Sequence, residues 1–187
     1  MKKTFLIIGI VAVVIIAIII AVVVINSKNK PYNKNVDTAI ADTINNNSKL
    51  PAKYMSGLDK NDGNLSKFKR LDNYMSTDFS DTDVFFSYYG YPNDESDHCL
   101  GEIKLLTNKY NILGVTVGDN MKESISKIEK YGFKLKESKN DLVATLEYKD
   151  ITITIDADVA TYVENGDNKI ETIKIKIKSE YLGNRIY

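Results

Sequence analysis

The sequence predicts an α+β protein, an N-terminal transmembrane helix followed by an antiparallel sheet packed by short helices and read as up to two related helix-plus-hairpin units. Three observations predict it. Phe5 to Ile25 is an unbroken apolar run. Apolar and polar residues alternate from Leu142 to Asp156 and again from Ile173 to Lys178. A strand, a turn and an amphipathic helix follow one another in GVTVGDNMKESISKIEKYGF, residues 114–133. The resulting plan is a short cytoplasmic tail (1–4), a transmembrane helix (5–25), a polar stalk (26–35), a first α+β unit (36–113) and a second (114–187).

The apolar run has 21 residues, and at about 1.5 Å each it spans about 31 Å, the thickness of a bilayer core. Lys2 and Lys3 also suit a cleaved signal peptide, but that would need a shorter apolar core and small residues at the cut. VVVINSKNK offers Val and Ile instead. An uncleaved single-pass signal-anchor is the expectation, with the C-terminal domain extracytoplasmic at the cell membrane. Lys2 and Lys3 on one side nearly balance Lys28, Lys30 and Lys34 on the other, so the short N-terminal tail decides the orientation.

Beyond the run, setting aside Lys2 and Lys3 leaves 23 basic against 25 acidic side chains, a net charge of −2. That is no footprint for nucleic acid. Cys99 is the only cysteine, so no internal disulfide forms and core packing must hold the domain.

NSKNKPYNKN, residues 26–35, lacks apolar period and reads as a stalk. Asp37 caps a short helix bearing Val36, Ile40 and Ile44, which stops at Asn45–Asn47. LDKNDGN, residues 58–64, is a turn-rich loop. With Gly63 placed sixth in a calcium loop, Leu58 and Lys69 fall at ligand positions and cannot bind calcium. Leu65, Phe68, Leu71 and Met75 then read as a second short helix, or LDNYMSTDF as a strand. VFFSYY from Val84 and EIKLL from Glu102 are strands joined by GYPNDESDHCLG. Lys149 and Asp150 join two alternating strands as a hairpin, and Ile173, Ile175 and Ile177 mark the last strand.

An internal likeness runs through these strands. Val84 matches Ile151, Phe86 matches Ile153, Ile103 matches Ile173 and Leu105 matches Ile175. Duplication explains this, and so does chance, because all amphipathic hairpins share period two.

The two glycines of GVTVG resemble the opening of a phosphate loop, but Asp119 stands where such a loop needs Lys, and the G-x-x-x-G spacing is wrong. No nucleotide is expected. A structural reading accounts for the stretch instead. Asn120 caps the helix with Glu123 as its capping-box partner, Met121, Ile125, Ile128 and Tyr131 form one apolar stripe, and Gly132 ends it.

This stretch and the alternating strands after it, residues 112–178, resemble helix-on-sheet repeat modules of Gram-positive membrane-anchored or secreted proteins. They are similar in plan to the β-lactamase inhibitor protein and to small outer-membrane assembly lipoproteins. The two-helix front end of that fold is missing before Gly114. The resemblance implies a binding or scaffolding role outside the cell and transfers no catalytic residue.

Chemistry-bearing residues are few. His98, the only His, lies beside Asp94, Asp97 and Cys99, but no G-x-S-x-G elbow accompanies it, and consecutive loop residues lack metal-ligand spacing. The loop is expected to be solvated and neither catalytic nor metal-binding, with Asp94, Asp97 and His98 the weak metal candidates. Lys174, Lys176 and Lys178 read as the solvated face of an edge strand. In SYYGYP, Tyr88, Tyr89 and Tyr91 surround a turn, so one ring must leave the face that buries Val84 and Phe86 and become a candidate contact. The expected function is a non-catalytic, cofactor-free module contacting an envelope protein or cell-wall component. A hydrolase or enzyme accessory using the His98 loop, or a small-ligand sensor, is the alternative.

Overall fold

Alternating side chains on paired strands sort themselves onto two faces, and here the pairing runs without a break through the domain. The computed structural model describes residues 38–59, 61–90, 98–139, 142–161 and 168–177. In chain order these hold helix α1 (Thr38–Asn46), strands β1 (Lys69–Asp72), β2 (Ser76–Ser80), β3 (Val84–Tyr89) and β4 (Cys99–Leu105), helix α2 (Met121–Glu129), and strands β5 (Lys134–Lys139), β6 (Val143–Tyr148), β7 (Ile151–Ala157) and β8 (Ile170–Ile177). They form one eight-stranded sheet in the order β1-β2-β3-β4-β8-β7-β6-β5, every neighbour antiparallel. Two four-stranded meanders thus meet at a seam where Glu102 to Leu105 pairs with Lys176 to Ile173.

One face is apolar. Val84, Phe86, Ile103, Ile153, Ile155 and Ile175 are among its fully buried residues, each stabilising the fold by about 1.5–3 kcal/mol through burial. Both helices feed the same core, α1 through Ile40 and Ile44 and α2 through Met121 and Ile128. Asn120 caps α2, its side chain accepting from Glu123 N at 3.0 Å. Gly132, at φ +92°, closes the helix in a conformation that side chains resist, and an added Cβ there would lie 3.0 Å from the Tyr148 ring. Between β6 and β7, Lys149 takes φ +50° in the two-residue hairpin turn.

Several expectations are corrected. The α+β plan of two helix-plus-hairpin units gives way to a mostly β domain, one eight-stranded antiparallel sheet crossing the expected boundary at residue 113. Among the described residues α-helix is confined to two nine-residue segments. The membrane, transmembrane-helix, single-pass and signal-anchor reading is likewise not upheld, since no helix among the described residues is long and apolar enough to cross a bilayer. The segment Phe5–Ile25 that prompted it lies outside the described residues, as do Val36 and Asp37. GVTV is no strand. Ile112 and Val115 exchange both backbone hydrogen bonds around Leu113 and Gly114, both at positive φ, forming a tight isolated turn.

The second short helix is absent, and its alternative, a strand over LDNYMSTDF, holds in part, as the end of β1 and as β2. Leu65 and Phe68 are buried at a 3-10 turn, Leu65–Lys67, whereas Leu71 lies in β1, 59% exposed on the other face of the sheet. In β1 the polarity is inverted, because Arg70 and Asp72 occupy the core-side positions opposite Phe79 and Thr77 and pair with each other at 2.8 Å. Charges at inward positions blunt an edge against further strand pairing. Nor is β8 an edge. It lies between β4 and β7, so Lys174 and Lys176 stand at the sheet's centre, and Lys178 lies outside the described residues.

The internal likeness has a structural register, shifted by two residues from the expected one. Val84 pairs with Leu105 and Phe86 with Ile103, as Ile151 pairs with Ile177 and Ile153 with Ile175. Ile103 therefore corresponds to Ile175 rather than Ile173, and these two residues face each other across the seam.

Candidate functional site

The second face of the sheet is polar. Residues that alternate with the core positions line up in register across strand after strand, so that Asp78, Ser87, Glu102, Lys176, Thr152 and Glu147 form one continuous row from β2 to β6. Most of these side chains are half-buried by their neighbours rather than fully exposed. That is the burial expected of a sheet surface with no layer over it.

At the middle of this face two side chains converge on one carboxylate, that of Glu102. Tyr89 Oη donates to Glu102 Oε2 at 2.9 Å, and Lys176 Nζ lies 3.0 Å from the same oxygen. Lys176 Nζ also stands 5.8 Å from the centre of the Tyr89 ring, within cation–π range. The Glu102 side chain is only 13% exposed, so its charge is held by this pairing as well as by water. Burial, then the nearby Glu102 charge, raises the Tyr89 phenol above its ordinary pKa, keeping it a hydrogen-bond donor at neutral pH. Outward from this centre, Thr172 Oγ1 donates to Asp156 Oδ2 at 2.7 Å, and Lys136 Nζ pairs with Glu147 Oε1 at 2.9 Å. Asp78 accepts from Asn73 Nδ2 at 2.6 Å through Oδ2, while its Oδ1 has no partner.

The sequence-selected residues fall in different places. Tyr89 is on the polar face, whereas Tyr88 points into the core, 2% exposed, with its ring edge-on to Phe79 at 5.8 Å. Burial raises the Tyr88 phenol pKa too. Tyr91, Asp94 and Asp97 lie outside the described residues. His98 is not on a solvated loop. It is 4% exposed, its Nδ1 is 3.2 Å from Thr77 Oγ1, and its carbonyl accepts from Leu58 N at 2.8 Å. Residues 55–58 continue the sheet beside this end of β4, with Met55 N donating to Leu100 O at 3.0 Å and Leu100 N to Ser56 O at 2.9 Å. Cys99 is buried there as well. Among the described residues no group of three His, Cys, Asp or Glu is placed to hold a metal ion.

The glycine-flanked stretch has its backbone committed elsewhere. Gly118 N donates to Ile170 O at 2.8 Å and Met121 N to Asn168 O at 2.9 Å, while Ile170 N donates back to Asp119 O at 3.0 Å. A phosphate loop aims such N–H groups at its ligand. Here they tie the start of α2 to the start of β8, and Asp119 Oδ2 lies 3.7 Å from Lys127 Nζ.

The role of Glu102 escapes the sequence reading, which takes Lys176 only for the solvated face of an edge strand. Alternation places each on an outward face, but only the pairing of β4 with β8 brings them together, and nothing local in the sequence encodes that pairing. A shallow cleft at the end of α1, lined by Asn45, Asn46, Ser48 and Lys53, has one ionisable group and no focus for chemistry.

No family model matches the chain, and no curated protein matches it. Among solved structures the chain is similar to a cysteine-rich secretory protein from Staphylococcus aureus subsp. aureus Mu50, at 14% sequence identity and a TM-score of 0.40. The similarity covers 62% of this chain and 42% of that protein, so it spans less than half of the latter.

Proposed function

We propose that this chain is a non-catalytic binding or scaffolding domain that docks an envelope protein or cell-wall component on the polar face of its sheet. The observation that carries the proposal is the uninterrupted polar row across that face, with the Tyr89–Glu102–Lys176 cluster at its middle. Seven strand spacings of about 4.8 Å by five residues of about 3.3 Å give a platform of roughly 34 by 17 Å. That is on the order of 600 Å², comparable to the about 800 Å² each partner buries in a standard interface. Side chains already locked by cross-strand pairs lose little further freedom on binding, which favours affinity.

The reading as a binder rather than an enzyme is supported by the burial of His98, which withdraws the one imidazole from solvent. The resemblance to helix-on-sheet modules belongs to this proposal. So does action outside the cytoplasm, which rests only on the sequence of residues 5–25.

A photo-crosslinking amino acid tests the proposal in intact cells. Placed at Thr152, on the polar row, it is expected to capture a partner. Placed at Val159, 69% exposed on the 3-10 turn after β7, it is expected to capture far less. Capture at Val159 with none at Thr152 would move the binding surface off the sheet.

A further inference from the structure

The seam of the sheet carries a charge conflict. Lys104 of β4 sits directly opposite Lys174 of β8. Directly opposed residues on antiparallel strands hold their Cβ atoms about 4.5–5.5 Å apart, and like charges there repel. One row away the same two strands solve the problem by placing Glu102 opposite Lys176. On the Lys104 row they do not, because the outer neighbours are Phe85 on β3 and Thr154 on β7, neither of them an acid. Among the described residues neither Lys104 nor Lys174 has an ion-pair or hydrogen-bond partner. Both are half-buried in the two central strands.

From this juxtaposition we infer that Lys104 and Lys174 together form the docking point for a carboxylate side chain, Asp or Glu, presented by a protein partner. The inference rests on the proposed use of the polar face and names the chemistry of its partner. A single acid placed between the two ammonium groups would turn a repulsive pair into two attractive ones, with each Lys as a charge-assisted donor. The surroundings favour a protein over a polyanion such as a phosphate polymer. Asp78 on the β2 side and Asp156 on the β7 side share the face and, among the described residues, are bonded only by the neutral Asn73 and Thr172, so a repeating chain of negative charges would be repelled on both sides of the lysine pair. A protein surface of mixed sign can place its one acid over Lys104 and Lys174 and its basic or neutral groups over the rest.

A zero-length carbodiimide reads this contact directly, since it joins an amine to a carboxylate only when they touch. Intact cells carrying the full chain would be treated and the cross-linked peptides sequenced by mass spectrometry. The Lys176–Glu102 pair, at 3.0 Å, supplies an internal positive control. The expected result is Lys104 or Lys174 joined to an Asp or Glu of a different polypeptide. In Lys104→Glu, which sets opposite charges across the seam, those adducts are expected to be lost while the melting temperature of the purified chain holds or rises. A residue with a purely structural role would not separate the two readouts in that way. Three outcomes would overturn the inference. One is capture from Thr152 with no carboxylate adduct at either lysine, which leaves the binding face standing without its acidic partner. Another is protection of both lysines from acetylation in cells without any adduct, which points to a phosphate polymer. The last is adducts only to a second copy of this chain.

Discussion

Phe86→Ala is expected to cost about 3–5 kcal/mol, the range for truncating a buried aromatic side chain. Phe86 is fully buried at the centre of β3, and its ring lies 4.9 Å edge-on from Phe68, 5.3 Å stacked from Phe79 and 6.2 Å from Tyr88. No small shift can refill a space bounded by three rings. Phe85, the next residue, faces the polar side and is half-buried. Phe85→Ala should therefore cost less than half as much. Urea denaturation of the two variants compares them, and equal losses would mean that the faces of β3 are assigned wrongly. Against a total stability of about 5–15 kcal/mol, the loss is roughly a fifth of the total or more.

Ile128→Ala should cost about 2–5 kcal/mol. Ile128 is fully buried on α2, which packs on β5 and β6. Ile125 on the same helix is only partly buried, so Ile125→Ala is expected to fall well below it. Thermal melts of both variants measure the difference. A loss under about 1 kcal/mol at Ile128 would fit a solvated surface position instead and would detach α2 from the core.

These two residues also mark where local pattern is a reliable guide. The alternation on either side of Lys149 and Asp150 announces β6 and β7, because one face of each strand is buried and the turn residues stand between them. Around α2, Asn120 and Gly132 act as the cap and stop that their residue types indicate, and of the expected stripe Met121 and Ile128 are buried while Ile125 and Tyr131 are only partly so. Edges are harder to read. β5 (KLKESK) has one apolar side chain, Leu135, itself 43% exposed, so it carries no burial signal. The helical spacing of Leu65, Phe68, Leu71 and Met75 is a coincidence between a 3-10 turn and a hairpin strand.

The site follows the same division. Tyr89 is visible as an aromatic that must leave the core face, but its partner Glu102 and the lysines of β8 come together only through pairing between strands far apart in the chain. Lys174 and Lys176 resemble edge protection when seen alone. Their meaning changes once β4 lies beside them.

Everything proposed for the polar face depends on the β4–β8 seam, and amide hydrogen exchange tests that seam most directly. A continuous eight-stranded sheet predicts that the hydrogen-bonded amides within residues 102–105 and 173–176 are among the slowest to exchange, opening only with global unfolding. Two separate units would leave β4 and β8 as sheet edges. Fast exchange along both strands, with protection kept in β3 and β7, would contradict the single sheet and the binding face built on it.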